Sequence, residues 1–154
     1  MVDENLDIEN YIGSSILKIK SILVEKIEDP IKGKRSVQNR FILTSYPSRD
    51  SEYPIITIRK TGESQAQSSG QRSQALFQNL EIEIRVWTLN ERQKDKLSSK
   101  VTNTLRKYQT NSTRGTIKFG LYDFKMLSSV PVDEDGAQGV KSNVMTFSYS
   151  LELL

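Results

Sequence analysis

The chain has 154 residues, 22 of them Lys or Arg and 19 Asp or Glu, for a formal charge of +3. It contains no Cys and no His, which excludes disulfides, thiolate nucleophiles, His-based proton transfer and the usual zinc ligands. Hydrophobic residues make up 36% and charged residues 27%, a balance that belongs to a single folded domain large enough to bury a core.

The charge is unevenly spread. Residues 1–29 carry −4, whereas residues 30–60 and 88–116 each carry +5. No block of five or six like charges forms a polybasic tail. The N-terminus, Met1-Val2-Asp3-Glu4-Asn5, is acidic where a signal peptide starts basic. No apolar run of ~18 residues provides a membrane span. The expected site of synthesis is a cytoplasm, with no membrane partner.

Ile8, Ile12, Ile16, Ile19, Leu23 and Ile27 recur at steps of four and three, which predicts an amphipathic helix. Asp29-Pro30 ends it, because the residue before proline avoids helical backbone angles. Beyond the basic connector Lys32-Gly33-Lys34-Arg35, Phe41–Thr44 and Tyr53–Ile58 read as short strands. Tyr46–Ser51 reads as a hairpin loop between them.

Residues 61–74 are almost devoid of apolar side chains and predict a long flexible loop. Leu80, Ile82, Ile84 and Val86 then alternate with Glu81, Glu83, Arg85 and Trp87, the pattern of a strand with one packed and one polar face. Thr88 with Glu91, or Asn90 with Gln93, forms the start signal of a second helix. That helix runs to about Tyr108, with Leu97, Val101, Leu105 and Tyr108 on its apolar side. Arg92, Lys94, Lys96, Lys100, Arg106 and Lys107 line the other side.

Ile117, Phe119 and Leu121 share one strand phase and Tyr122, Phe124 and Met126 the other, so a bulge is expected near Gly120-Leu121. Pro131–Lys141 reads as a second long flexible loop. The final strand alternates Met145, Phe147, Tyr149, Leu151 and Leu153 against polar residues, and is expected to lie inside a sheet or against a partner. The order predicts an α+β domain over residues 1–154. An antiparallel or mixed sheet of about five strands would carry both helices on one face.

Chemical signatures are weak. Asp133-Glu134-Asp135-Gly136 resembles the opening of a calcium loop, but Val144 occupies the twelfth position, where a Glu is required. Glu81 and Glu83 lie about 7 Å apart on one strand face, yet they alternate with Arg85 and suit a polar surface better than acid/base work. No Gly-rich phosphate loop is present, and no Ser-x-x-Lys is followed by the partner motifs that a Ser–Lys nucleophile requires. The expectation is a non-enzyme without cofactor or metal. The candidate interface residues are Gln65, Gln67, Gln71 and Arg72 of the first loop, Glu81, Glu83, Arg85 and Trp87 of the polar strand face, and Asp133, Glu134 and Asp135 of the second loop. Trp is enriched in interfaces, and polar loops that order on contact provide adaptable ones.

This ordering of elements, with a strand ending Val86-Trp87-Thr88 before a capped helix, resembles the tail terminator (tail completion) proteins of long-tailed bacteriophages and related contractile or injection particles. The resemblance implies a virion protein that forms a hexameric ring on the head-proximal end of the tail tube. Such a ring ends tail polymerisation and offers a surface for head–tail joining. The implied partners are further copies of the chain, the tail tube protein and the head–tail connector, with genomic DNA passing through the ring. Another neck or head-closure connector protein fits the same features. A small nucleic-acid-binding module, carried by the basic helix face, fits less of them.

Overall fold

The computed structural model describes residues 11–36, 40–47, 51–66, 76–110, 121–133 and 139–153. Within these lie helix α1 (Tyr11–Lys26), strands β1 (Ile42–Leu43), β2 (Ile55–Ala66) and β3 (Leu76–Thr88), helix α2 (Glu91–Thr110), and strands β4 (Leu121–Asp133) and β5 (Lys141–Leu153). The sheet order is β1-β2-β3-β5-β4, with β1 parallel to β2 and every other pairing antiparallel. The result is an α+β fold with a five-stranded mixed sheet and two helices.

The periodicities place the core. Leu80, Ile82, Ile84 and Val86 of β3 are fully buried, as are Met145, Phe147 and Tyr149 of β5. Against them pack Ile19, Ile22, Leu23 and Ile27 of the α1 region and Leu97, Val101 and Leu105 of α2, all in one continuous cluster. Both helices therefore cover the same face of the sheet. Phe124 of β4 stacks on Phe147 and Tyr149 at centroid distances of 5.5 and 5.9 Å. The Tyr149 hydroxyl lies 2.8 Å from Ser15 Oγ, tying α1 to β5. Burial pushes the Tyr149 phenol up to about 12, partly opposed by the Ser15 bond.

Asn90, rather than Thr88, caps α2. Its Oδ1 accepts the backbone N–H groups of Arg92 at 2.8 Å and Gln93 at 3.2 Å, satisfying donors that have no partner within the helix. Thr88 is buried and donates its hydroxyl to the Asn90 carbonyl at 2.9 Å.

Several expectations are corrected. The polar stretch 61–66 is strand, not loop: Glu63, Ser64 and Gln65 pair with Leu80, Asn79 and Gln78. A ladder needs only backbone donors and acceptors once its first rungs are set, so polar side chains do not stop it. Residues 67–74 of that loop lie outside the described residues. Similarly, Pro131–Asp133 belong to β4 and Lys141 opens β5, while Glu134 and Asp135 lie outside the described residues. The register shifts in β4 fall at Tyr122/Lys125 and Met126/Ser128. The expected bulge at Gly120 and the strand residues before it lie outside the described residues. Tyr46–Ser51 does not close a hairpin, because β1 runs parallel to β2 and pairs with it only at Ile56 and Thr57. A parallel pair requires the chain to cross over instead of turning back.

That crossover is held by a buried ion pair. Arg35 donates to both carboxylate oxygens of Asp29, at 2.6 and 2.9 Å, and to the carbonyls of Glu52 at 2.6 Å and Pro54 at 2.7 Å. Its guanidinium also lies 5.6 Å from the centre of the Phe41 ring. One side chain thus joins the turn after α1, the start of β1 and the entry to β2. Burial raises the Asp29 carboxyl pKa, but the Arg35 bonds, the Ile31 N–H and the Arg35 charge outweigh it and hold the group below its ordinary value.

Arg35→Ala leaves a mostly buried carboxylate and two carbonyls without their donor. It is expected to lower stability by about 3–5 kcal/mol, measured by chemical denaturation. Because the folded-state pKa of Asp29 is depressed, its stabilisation is complete above about pH 4 and is lost as pH falls through the folded value. Asp29→Asn should therefore flatten the acid limb of the stability–pH curve as well as lowering its plateau.

Candidate functional site

The sheet face opposite the helices carries the polar phase of β3. Across the β2–β3 ladder, Ile55 faces Trp87, Thr57 faces Arg85 and Arg59 faces Glu83. On the other flank, Ser142, Val144, Thr146 and Ser148 of β5 stand opposite Trp87, Arg85, Glu83 and Glu81. The β1–β2 crossover lays Tyr46 over this surface.

Glu83 is the centre of a compact network. The Tyr46 hydroxyl donates to its Oε1 at 2.9 Å, and Arg85 Nε lies 3.1 Å from the same oxygen. Arg59 pairs with Oε2 at 3.5 Å. The Arg59 guanidinium stacks 4.3 Å from the Tyr46 ring centre, and that of Arg85 lies 5.3 Å from the same ring and 4.8 Å from Trp87. Tyr46 meets Trp87 edge-on at 5.3 Å. The Trp87 indole N–H donates to Thr57 Oγ1 at 2.9 Å. Burial, followed by the bond to Glu83 and its charge, raises the Tyr46 phenol above its ordinary value, so it remains a proton donor to Glu83 at neutral pH.

Of the sequence-derived candidates, Glu83, Arg85 and Trp87 are brought together here. Glu83 and Trp87 are buried, whereas Glu81 is exposed on the same face. Two guanidiniums engage Glu83, so the Glu81/Glu83 pair is not a pair of free carboxylates set for acid/base chemistry. Gln65 sits in β2 opposite Gln78, and Asp133 ends β4 opposite Lys141. Gln67, Gln71, Arg72, Glu134 and Asp135 lie outside the described residues.

The strand alternation could have located Arg59, which shares the phase of Ile55 and Thr57. Tyr46 carries no such signal, because its position depends on the path of an irregular crossover.

The basic helix face is also reduced. Lys94 is buried, with its ammonium 2.9 Å from the Glu91 carboxylate. Arg92, Lys96, Lys100 and Arg106 remain exposed. Among the described residues, no group of three or more Asp or Glu is arranged to hold a metal ion.

The geometry defines a two-layer α+β protein whose helix-free sheet face is closed by an aromatic–arginine network. No protein family and no curated protein matches the sequence. Among solved structures, the chain is similar to one in the virion of a native gene transfer agent particle. The TM-score is 0.54 at 12% identity, and the match covers 86% of this chain and 93% of the other. At that identity the similarity is one of fold.

Tyr46→Phe removes one charge-assisted hydrogen bond to Glu83 while preserving the ring contacts. A loss of about 1.5–3 kcal/mol is expected on chemical denaturation. Trp87 is the only tryptophan, so its emission reports this face alone. Arg59→Ala should alter that emission while leaving the helix signal in far-UV circular dichroism unchanged.

Proposed function

We propose that this chain is a structural virion protein of a phage-like particle, a tail terminator acting as a hexameric ring. The ring would cap the head-proximal end of the tail tube, end its polymerisation and present a surface to the head–tail connector. The observation that carries this reading is the overlap of fold with the virion chain along 86% of this sequence and 93% of that one. The role is structural rather than catalytic, within a virion assembled in a host cytoplasm. Genomic DNA would pass through the ring.

The sheet suits a protein with two distinct contacts. Leu76, at the start of β3, pairs with Leu153, whereas Thr88, at its other end, pairs with Lys141. The β2–β3 and β4–β5 connections therefore leave from opposite ends of the sheet. Gln65, Gln67, Gln71 and Arg72 belong to the first connection and its flank. Asp133, Glu134 and Asp135 belong to the second. An amide-rich connection carrying Arg72 and an acidic one can engage chemically different neighbours, such as the tail tube and the connector. On the polar face, exposed Glu81 is assigned to contacts within the ring, with Glu83, Arg85 and Trp87 as the largely covered network beside it. No helix among the described residues is long and apolar enough to cross a membrane.

Electron microscopy of particles assembled without this protein tests the assignment. Overlong, headless tubes are expected. Normal-length tails beside unjoined heads would transfer the role to a head-closure connector. Intact, infectious particles would overturn the structural reading. In that case, steeply salt-dependent DNA binding by the exposed basic side of α2 would be tested next.

A further inference from the structure

The sheet ends in two edges of different character. On one side, β1 covers β2 only at Ile56 and Thr57, so among the described residues the nine from Ile58 to Ala66 have no strand beyond them. On the other side, β4 is outermost along all of its 13 residues. An open edge presents unpaired N–H and C=O groups and is ordinarily defended by charge. The β2 edge has that defence in the exposed residues Arg59, Lys60 and Glu63. The β4 edge relies on Pro131 and on its register shifts instead: no charged residue lies between Lys125 and Asp133. Met126, Leu127 and Val130 of that stretch are exposed, the last two by 50% and 51%.

Pro131 removes one donor from β4, and the register shifts before Ser128 bend the strand. The regular ladder is thereby confined to the six residues Ser128–Asp133; the open edge of β2 is itself shifted between Lys60 and Gly62, and its longest regular stretch, Gly62–Ala66, is of nearly the same length. Direction also agrees. β4 runs opposite to β2 within the sheet, so a second copy set alongside in the same orientation brings its β2 antiparallel to β4.

We propose that the open edge of β4 pairs antiparallel with the uncovered edge of β2 in a second copy of this chain, extending the sheet from subunit to subunit. The inference rests on the ring reading. A two-fold β4–β4 contact would close a dimer and leave both β2 edges open, whereas β4 on β2 is head-to-tail and repeats around a ring. The charged β2 edge supplies backbone partners without being prone to pair with itself.

The test uses the full-length chain with a photo-crosslinking benzoylphenylalanine in place of Leu127, irradiated at rising protein concentration, with adducts mapped by mass spectrometry. Adducts to residues 58–66 of another copy are expected, with cross-linked species extending beyond the dimer. Val130→Lys is expected to weaken self-association roughly tenfold in sedimentation without changing the melting temperature, because Val130 is half exposed. Adducts within 121–133 would overturn the proposal in favour of a two-fold β4 contact. Adducts elsewhere, or none at the highest concentration, would also overturn it. A hexamer by light scattering in that last case would show that the ring forms through another surface.

Discussion

The alternation along β3 is the constraint on which the rest of the structure depends. It is the middle strand of the sheet, so its two sets of side chains dictate what each face becomes. Leu80, Ile82, Ile84 and Val86 demand a dry partner, and the two amphipathic helices provide it. Glu81, Glu83, Arg85 and Trp87 point the other way and cannot be covered by apolar residues without stranding charge. A slip of one residue would exchange the two sets. Register is therefore fixed as strongly as the core itself, and β2 and β5 inherit it through their ladders with β3.

Burial on the polar face calls for a different solution from burial in the core. Glu83 is nearly inaccessible and is a charged group, so it is stable there only with partners. Two arginines neutralise it and a phenol completes its hydrogen bonding. The Arg85 guanidinium is largely covered between the Tyr46 and Trp87 rings, where a cation–π contact is stronger than at the half-exposed Arg59. The Arg35–Asp29 pair does comparable work at the sheet margin. Its fork geometry reaches two backbone carbonyls that an irregular crossover would otherwise leave unsatisfied. Removing one partner from either network strands the others, so both specify one chain path more than they add net stability.

The elements with strong period were legible in the sequence. The packed residues of α1, α2, β3 and β5 follow directly from the spacing of their apolar residues, and of the two places open to β5, inside a sheet or against a partner, the structure shows the first. The polar extension of β2 from Thr61 to Ala66 was not legible, because its strand character comes from pairing with β3 and not from its own side chains. The choice of Asn90 over Thr88 as cap was open, since both carry an oxygen that can accept helix N–H groups. Lys94 looked solvent-facing because of its charge, although it lies three residues before Leu97, on the apolar phase of the helix, and three after Glu91, within reach of a partner. Half of the polar network, Glu83, Arg85 and Trp87, could be read from the alternation. Tyr46 could not, because no local pattern encodes where a crossover lays its side chains.

The distribution of defended and undefended surface separates what this chain completes alone from what it leaves to others. Much of its polar face is engaged internally around Glu83, while Glu81, Arg59 and Tyr46 stay exposed. That face can meet a partner as a preformed, rigid surface, with little entropy to lose. Its edges are the reverse. Backbone groups at β2 and β4 have directional bonding capacity that water satisfies only until another strand arrives. A bond formed there exchanges water for an equivalent partner, so each rung adds little. Specificity must therefore come from length, direction and the side chains that flank the ladder. Exposed Leu127 and Val130 add apolar area to that exchange, which shifts the balance from mere compatibility toward association. In the proposed ring, each edge would gain the neighbour that it lacks among the described residues from another copy of the chain.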